Sequence, residues 1–388
     1  MVGSSAAGLA TAEALRRQGY QGTLTLLGGE PHLPYDRPPL SKQVLAGTWE
    51  PDRTQLRPTA ALDALNAEFI QDDRATGLDL PTRTIRTASG RALHAEAIVV
   101  ATGVAPRRLS GQDELSGVHV LRTLADASAL RTDLLTCRRL VVVGEGVLGS
   151  EIAATARGMG VQVTMAGPQT APMATQFGPA MASLLGNLHL ERGVVLRLGT
   201  GVDGLVGRDG RVSGVRLASG EVLPADVVVV AIGSIPATAW LADSGLEIQN
   251  GLVCDSRCRA GDGIYGVGDV ARWQHQTLDV LMRLENRTNA TEQAAAVAAN
   301  ILGAELPYCP VPYFWTDQFD AKIQAHGVLP AGAEMTVVEG DAAARRFVAL
   351  FHRGGRVTGV IGWNMPKQTR QHRQEVVDAL APLAPAHA

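Results

Sequence analysis

Val141-Val142-Val143-Gly144-Glu145-Gly146-Val147-Leu148-Gly149-Ser150-Glu151 is the stretch that decides the fold. A β-branched apolar run leads straight into G-x-G-x-x-G. A small-residue segment, 152–157, reads as the helix that follows. A dinucleotide-binding turn needs this strand–turn–helix context. Gly144 permits the tight turn, and Gly146 lets the backbone approach a pyrophosphate. Gly149 lets helix and strand pack closely, and the helix N-terminus attracts the phosphate charge.

A second, imperfect copy opens the chain: Val2-Gly3-Ser4-Ser5-Ala6-Ala7-Gly8. Gly3 and Gly8 take the first and third glycine positions. Ser5 takes the second, where a small side chain still allows a phosphate to approach. Residues 6–18 read as a helix and 23–27 as the next strand, which makes a βαβ unit. Only Met1 and Val2 precede Gly3, whereas a strand has about five or six residues. The expectation is that the recorded N-terminus is short, or that a flavin nucleotide here is held less tightly, with neighbouring backbone groups left unpaired. Two nucleotide sites in one chain suggest two dinucleotides that exchange electrons.

The bulk numbers agree. A chain of 388 residues exceeds one ordinary core and predicts two or three domains. A net charge of -3 gives no general affinity for nucleic acid or an acidic membrane. The 43 glycines suit an α/β chain with many tight turns. No apolar run is long enough to span a bilayer, and no signal segment opens the chain, so a cytoplasmic location is expected. Cys137, Cys254, Cys258 and Cys309 form no C-x-x-C, and the histidines form no ligand cluster, so no metal site is expected.

His32-Leu33-Pro34-Tyr35-Asp36-Arg37-Pro38-Pro39-Leu40-Ser41-Lys42 follows the second strand. Its three prolines make a rigid, non-helical loop placed to pass over a cofactor, and Ser41 suits the cap of a following helix. From here the resemblance is specific. Residues 3–45 resemble the start of the FAD-dependent ferredoxin reductases of the putidaredoxin, rubredoxin and biphenyl-dioxygenase reductase type, relatives of apoptosis-inducing factor. The likeness runs on through Ala97-Ile98-Val99-Val100-Ala101-Thr102-Gly103, Leu121-Arg122-Thr123, the return strand 227–233 and Ile264-Tyr265-Gly266-Val267-Gly268-Asp269-Val270. It ends with 285–293 and Pro312-Tyr313-Phe314-Trp315-Thr316-Asp317-Gln318.

The resemblance implies an α/β, glutathione-reductase-like fold. An FAD domain would comprise 1–105 and 233–305, an NAD(P)H domain 106–232, and a small α+β interface domain 306–388. It implies FAD contacts from Gly3, Ser5, Ala7, Gly8, Glu30, Arg37, Lys42, Ala75, Ala101, Thr102, Gly103, Arg122, Gly268, Asp269, Glu285 and Arg287. NAD(P)H contacts would come from Gly144, Gly146, Val147, Leu148, Gly149, Glu151, Ile232 and Gly233. Lys42 and Glu151 would form an ion pair at the flavin edge and serve as the catalytic pair. Without its neighbours, Asp269 would read as an N-cap and Glu151 as an exposed first-turn acid. An iron-sulfur ferredoxin is the implied partner, and the protein is expected as a monomer or weak homodimer. Relatives that pass electrons through a C-x-x-x-x-C pair need thiols near the flavin, and this chain has none before Cys137.

Three departures from the family pattern stand out. The acid expected after the second strand falls at Gly29, with Glu30 adjacent. In the second domain it falls in Ala166-Gly167-Pro168, which carries neither the carboxylate that selects NADH nor a cation for NADPH, so weak nicotinamide preference is expected. Arg287 stands where relatives often carry an aromatic, and is expected to lay a positive charge against the flavin. A basic face of Lys367, Arg370 and Arg373, with His372 beside it, is the candidate docking surface. Two other readings stay open on sequence: a flavoenzyme acting on its own small molecule, and a redox-sensing flavoprotein of the apoptosis-inducing-factor type.

Overall fold

The computed structural model describes residues 1–380; the last eight residues of the expected third domain lie outside it. Two parallel sheets form the nucleotide folds. The first places Glu68–Ile70 beside Thr25–Leu27 and Ile98–Val100 beside Ile264–Gly266, with Val2 bridging Leu27 and Val100. The short first strand is nonetheless paired on both sides. Val2 N donates to Val99 O, Ala101 N to Val2 O, and Gly3 N to Leu27 O. The expectation of unpaired neighbours is therefore corrected: the facing groups of Leu27, Val99 and Ala101 all find partners on residues 1–3.

The helix Ala6–Arg17 follows, its small residues Ala7, Gly8, Ala10, Ala12 and Ala14 buried. Small side chains let it lie close both to the sheet and to the helix Arg287–Ile301, which buries Ala290, Ala294 and Ala298.

The second sheet has five parallel strands in the order Val195–Leu198, Gln162–Gly167, Arg139–Val143, Val227–Val230 and Val118–His119. Arg139–Val143 and Val227–Val230 are almost wholly buried, as their continuous Val/Leu runs require. The helix Val147–Gly158 starts directly after the glycine turn, five residues earlier than the small-residue segment suggested. Val104–Pro106 and Ser234–Pro236 pair antiparallel where the chain passes between the two folds.

A third, antiparallel sheet of five strands runs Tyr313–Gln318, Ala321–Gly327, Arg356–Trp363, Arg346–Arg353 and Glu334–Asp341. One face packs Phe347, Ile361 and Trp363 against Phe177, Met181 and Leu185. Val376 of the helix Pro366–Leu380 belongs to the core on the other face. The third sheet is thereby pressed onto the nucleotide fold that carries Glu151.

Candidate active site

Both glycine turns have the geometry their spacing predicts. Gly3 and Gly144 lie at φ +110 and +113, and a Cβ on either would collide with the backbone of Ala101 or Ala231. A Cβ on Gly8 or Gly149 would run into the carbonyl of Gly3 or Gly144. Protein packing therefore explains these four glycines. Gly146 differs: the nearest atom to a Cβ there is Gln176 Nε2 at 4.0 Å. Nothing in the protein requires glycine at 146, so the space above it suits a ligand's pyrophosphate. Val147 and Leu148 open the helix behind it. Ile232 and Gly233, the latter at φ +94, follow the return strand beside Gly144.

Several of the residues expected on the FAD side meet near the first turn. Gly268, at φ +76, would carry a Cβ 3.1 Å from Ala7, so the turn bearing Asp269 abuts the first helix. Arg122 Nη2 donates to Asp269 Oδ2 at 3.3 Å and lies beside Gly103. Burial raises the Asp269 carboxyl above its ordinary range, and Arg122 opposes that rise. Asp269 is inside a single 3₁₀ turn, so the N-cap reading is set aside. Thr102 Oγ1 donates to Ala237 O at 2.8 Å. Ser5 Oγ reaches Tyr35 O at 3.5 Å. Ala75 opens the strand Ala75–Asp79.

Glu30 is already engaged. Arg37 Nη2 donates to its Oε1 at 2.7 Å and the Tyr35 hydroxyl to its Oε2 at 2.5 Å. Burial works to raise this carboxyl, but Arg37 and Tyr35 outweigh it and hold it below its ordinary range. Arg37 also donates to Arg122 O at 2.6 Å, which links the Pro-rich loop to the entry of the second fold. Glu285 accepts from Ser234 Oγ at 2.5 Å and from Arg283 at 2.7 Å.

Lys42 and Glu151, 109 residues apart, meet at 2.7 Å with side chains only 13% and 7% exposed. Three further groups converge here. Ser41 Oγ donates to Glu151 Oε2 at 2.6 Å, and Thr316 Oγ1 donates to Glu151 Oε1 at 2.9 Å. Gln318 Nε2 donates to Thr316 Oγ1 at 3.1 Å while its Oε1 accepts from His189 Nε2 at 2.8 Å. Ser41 thus does not cap a helix as expected. It lies inside the π-helical turn Leu40–Val44, whose geometry turns its hydroxyl to Glu151. The exposed-acid reading of Glu151 fails for the same reason.

Arg287 is also corrected. Its Nε donates to Asp36 Oδ1 at 2.6 Å, so the guanidinium brings a neutralised pair and not a free positive charge. His372 leaves the basic face: Glu339 and Glu375 accept from its two ring nitrogens at 2.8 and 2.6 Å.

The two glycine folds and the carboxylate between them define a pyridine-nucleotide oxidoreductase of the two-dinucleotide class. The chain belongs to the pyridine nucleotide-disulphide oxidoreductase family, which matches residues 1–294, and carries its reductase C-terminal domain over 313–388. Rhodocoxin reductase of Rhodococcus erythropolis is 36% identical over 390 residues, covering 100% of this chain and 91% of that protein. The ferredoxin reductase for the CYP199A2 system from Rhodopseudomonas palustris superposes with a TM-score of 0.90 at 34% identity, over 94% of this chain and 90% of that one. The reductase in the covalent putidaredoxin reductase–putidaredoxin complex does so with 0.92 at 33%, over 97% and 92%. The α/β fold expected from sequence, with its added C-terminal domain, is the family's fold. No helix among the described residues is long and apolar enough to cross a membrane.

Proposed function

We propose that this protein is an FAD-dependent NAD(P)H:ferredoxin reductase that supplies single electrons to an iron-sulfur ferredoxin serving a cytochrome P450 or a dioxygenase. One observation carries the reading. The Lys42–Glu151 pair lies between two dinucleotide folds, while no thiol precedes Cys137 to take electrons by disulfide chemistry. FAD, when bound, supplies the chemistry that accepts hydride from a reduced nicotinamide and releases electrons one at a time. The residues of the chain supply position and charge. Gly3, Gly8 and the Gly268-Asp269 turn would hold the flavin nucleotide, with the Arg37–Glu30 and Arg122–Asp269 pairs beside that turn. Gly144, Gly146 and Gly149 hold the nicotinamide nucleotide. Lys42 would present its ammonium toward the flavin edge, with Glu151 fixing its direction.

The reading places divisions at 105/106, 232/233 and 305/306; the antiparallel crossing of Val104–Pro106 and Ser234–Pro236 supports the first two. A cytoplasmic location fits four free thiols, one of them exposed.

Anaerobic addition of NADH or NADPH to the FAD-loaded protein tests the first half of the reaction, by bleaching of the flavin band. Cytochrome c reduction with and without an added [2Fe–2S] ferredoxin tests the second. A large acceleration by ferredoxin is expected; equal rates with and without it would overturn ferredoxin as the acceptor.

A further inference from the structure

The strand Gln162–Gly167 ends without the acid that commonly meets the adenosine ribose in such folds, yet a carboxylate occupies that place. A Cβ built on Gly167 would fall inside the carboxylate of Glu145. Glu145 is the residue between the first two glycines of the turn and is 3% exposed. Its Oε1 accepts from Gln169 N at 3.0 Å and its backbone carbonyl from Met173 N at 2.8 Å, so the side chain is held against the strand end. Among the described residues no donor reaches its other oxygen, Oε2.

A second observation points to a ligand at the adjoining glycine turn. Gln176 Nε2 lies 4.0 Å from where a Cβ on Gly146 would be, and Gln176 Oε1 is buried with no partner. A polar side chain with an unused acceptor, Gln176, therefore borders the open space over Gly146, while the Glu145 carboxylate lies at the strand end beside Gly167. No lysine or arginine lies between Arg157 and Arg192. Arg197, paired in register with Ala166 on the neighbouring strand, is held by Glu221 at 3.2 Å.

We infer that Glu145 sets nicotinamide specificity: its Oε2 accepts from the adenosine 2′-hydroxyl of NADH, and its charge rejects the 2′-phosphate of NADPH. Gly167 is glycine because the carboxylate reaches the ribose from the turn instead of from the strand. The chemistry is the ordinary one of a carboxylate on a ribose hydroxyl; its source in the chain is new. This inference revises the expectation of weak preference, which considered only the strand end, and it rests on the reading of the second fold as the nicotinamide site.

Calorimetric binding of NAD⁺ and NADP⁺ to the FAD-loaded protein tests it without turnover. The wild type is expected to bind NAD⁺ at least about 100-fold more tightly. Glu145→Gln keeps an oxygen for Gln169 N and loses the charge. It should weaken NAD⁺ and strengthen NADP⁺, bringing the ratio within about tenfold. A purely structural role would weaken both nucleotides alike and leave the ratio unchanged. An unchanged ratio in Glu145→Gln, or similar affinities in the wild type, overturns the assignment while leaving the nicotinamide site intact. Failure of the wild type to bind either nucleotide overturns the site itself and the inference with it. Glu145→Ala, measured beside Glu145→Gln, shows whether loss of the Gln169 bond adds a common weakening of both nucleotides, which would leave the shift in ratio as the reading.

Discussion

The Thr316 hydroxyl donates to Glu151 Oε1 at 2.9 Å, so the C-terminal sheet grips the same carboxylate that Lys42 pairs with from the other side. Thr316 is wholly buried, and water cannot replace it easily. Thr316→Val should lower stability by about 1.5–3 kcal/mol, the usual worth of a hydrogen bond to a charged group. Thr316→Ser keeps the hydroxyl and should lose much less. The denaturant midpoint of each variant measures this, and equal midpoints for Val and wild type would show that the bond contributes nothing.

Removing Lys42 leaves a buried carboxylate without its cation, an arrangement that costs about 3–5 kcal/mol when one partner alone is lost. Lys42→Ala also removes the ammonium expected at the flavin edge, and should slow flavin reduction by NADH at least tenfold, about 1.4 kcal/mol, while changing nicotinamide affinity by less than about threefold. Stopped-flow traces at varied NADH separate the limiting rate from the dissociation constant. Lys42→Ala with Glu151→Gln should recover part of any lost stability.

Position 287 faces a different test now that Asp36 neutralises its charge. Replacing both partners, Arg287→Trp with Asp36→Asn, should leave the flavin potential within about 10 mV of wild type. Asp36→Asn strips the counter-charge and should raise the potential by about 20–40 mV for the two-electron couple, equivalent to about 1–2 kcal/mol. Spectroelectrochemical titration of the three proteins decides it. A large shift in the double variant would mean that Asp36 does not cancel the guanidinium.

His326 gives a pH dependence with a definite sign. Its ring stacks on Tyr313 at 4.5 Å and is buried, and burial, aided by Arg373 and Arg370, lowers its pKa from 6.5 to about 4. The unfolded chain then binds more protons than the folded one between these values. Stability contributed by the neutral ring is present above about pH 6.5 and is lost as pH falls toward 4, by up to about 3 kcal/mol. His326→Phe keeps the stack and should flatten the acid side of the stability profile. An unchanged slope would place the titration elsewhere.

Lys367 and Arg370 are exposed on the last helix, and a docking ferredoxin, commonly acidic, should feel their charge. Lys367/Arg370/Arg373 triple-alanine should raise the KM for ferredoxin severalfold and reduce its salt dependence, without altering flavin reduction by NADH. Unchanged ferredoxin kinetics would remove this face from consideration.

The glycine turns were legible because their constraints are local. A positive φ and a collision with a carbonyl a few residues away act within one turn, as at Gly3–Gly8 and Gly144–Gly149. Lys42 and Glu151 were legible only through the family likeness. Asp36 and Arg287 stand 251 residues apart, and no spacing rule joins them. Thr316 was quoted within a matching block but given no role, because its partner lies on a helix 165 residues earlier. Glu145 was overlooked for another reason. The residue between two glycines carries no backbone requirement of its own, and only the folded strand end beside it shows what its side chain replaces.

The strand Ile264–Gly266 lies beside Ile98–Val100, with the entire second nucleotide sheet encoded between them. On a ribosome, that order has a direct temporal meaning. The inserted sheet has all its strands once Val230 emerges, whereas the first must wait with Ile98–Val100 unpaired on one side. At translation rates of about 5–20 residues per second, the wait lasts about ten to thirty seconds. A buried, wholly apolar strand edge is therefore open to other chains during synthesis, and the part of the molecule made first is completed after the part made second.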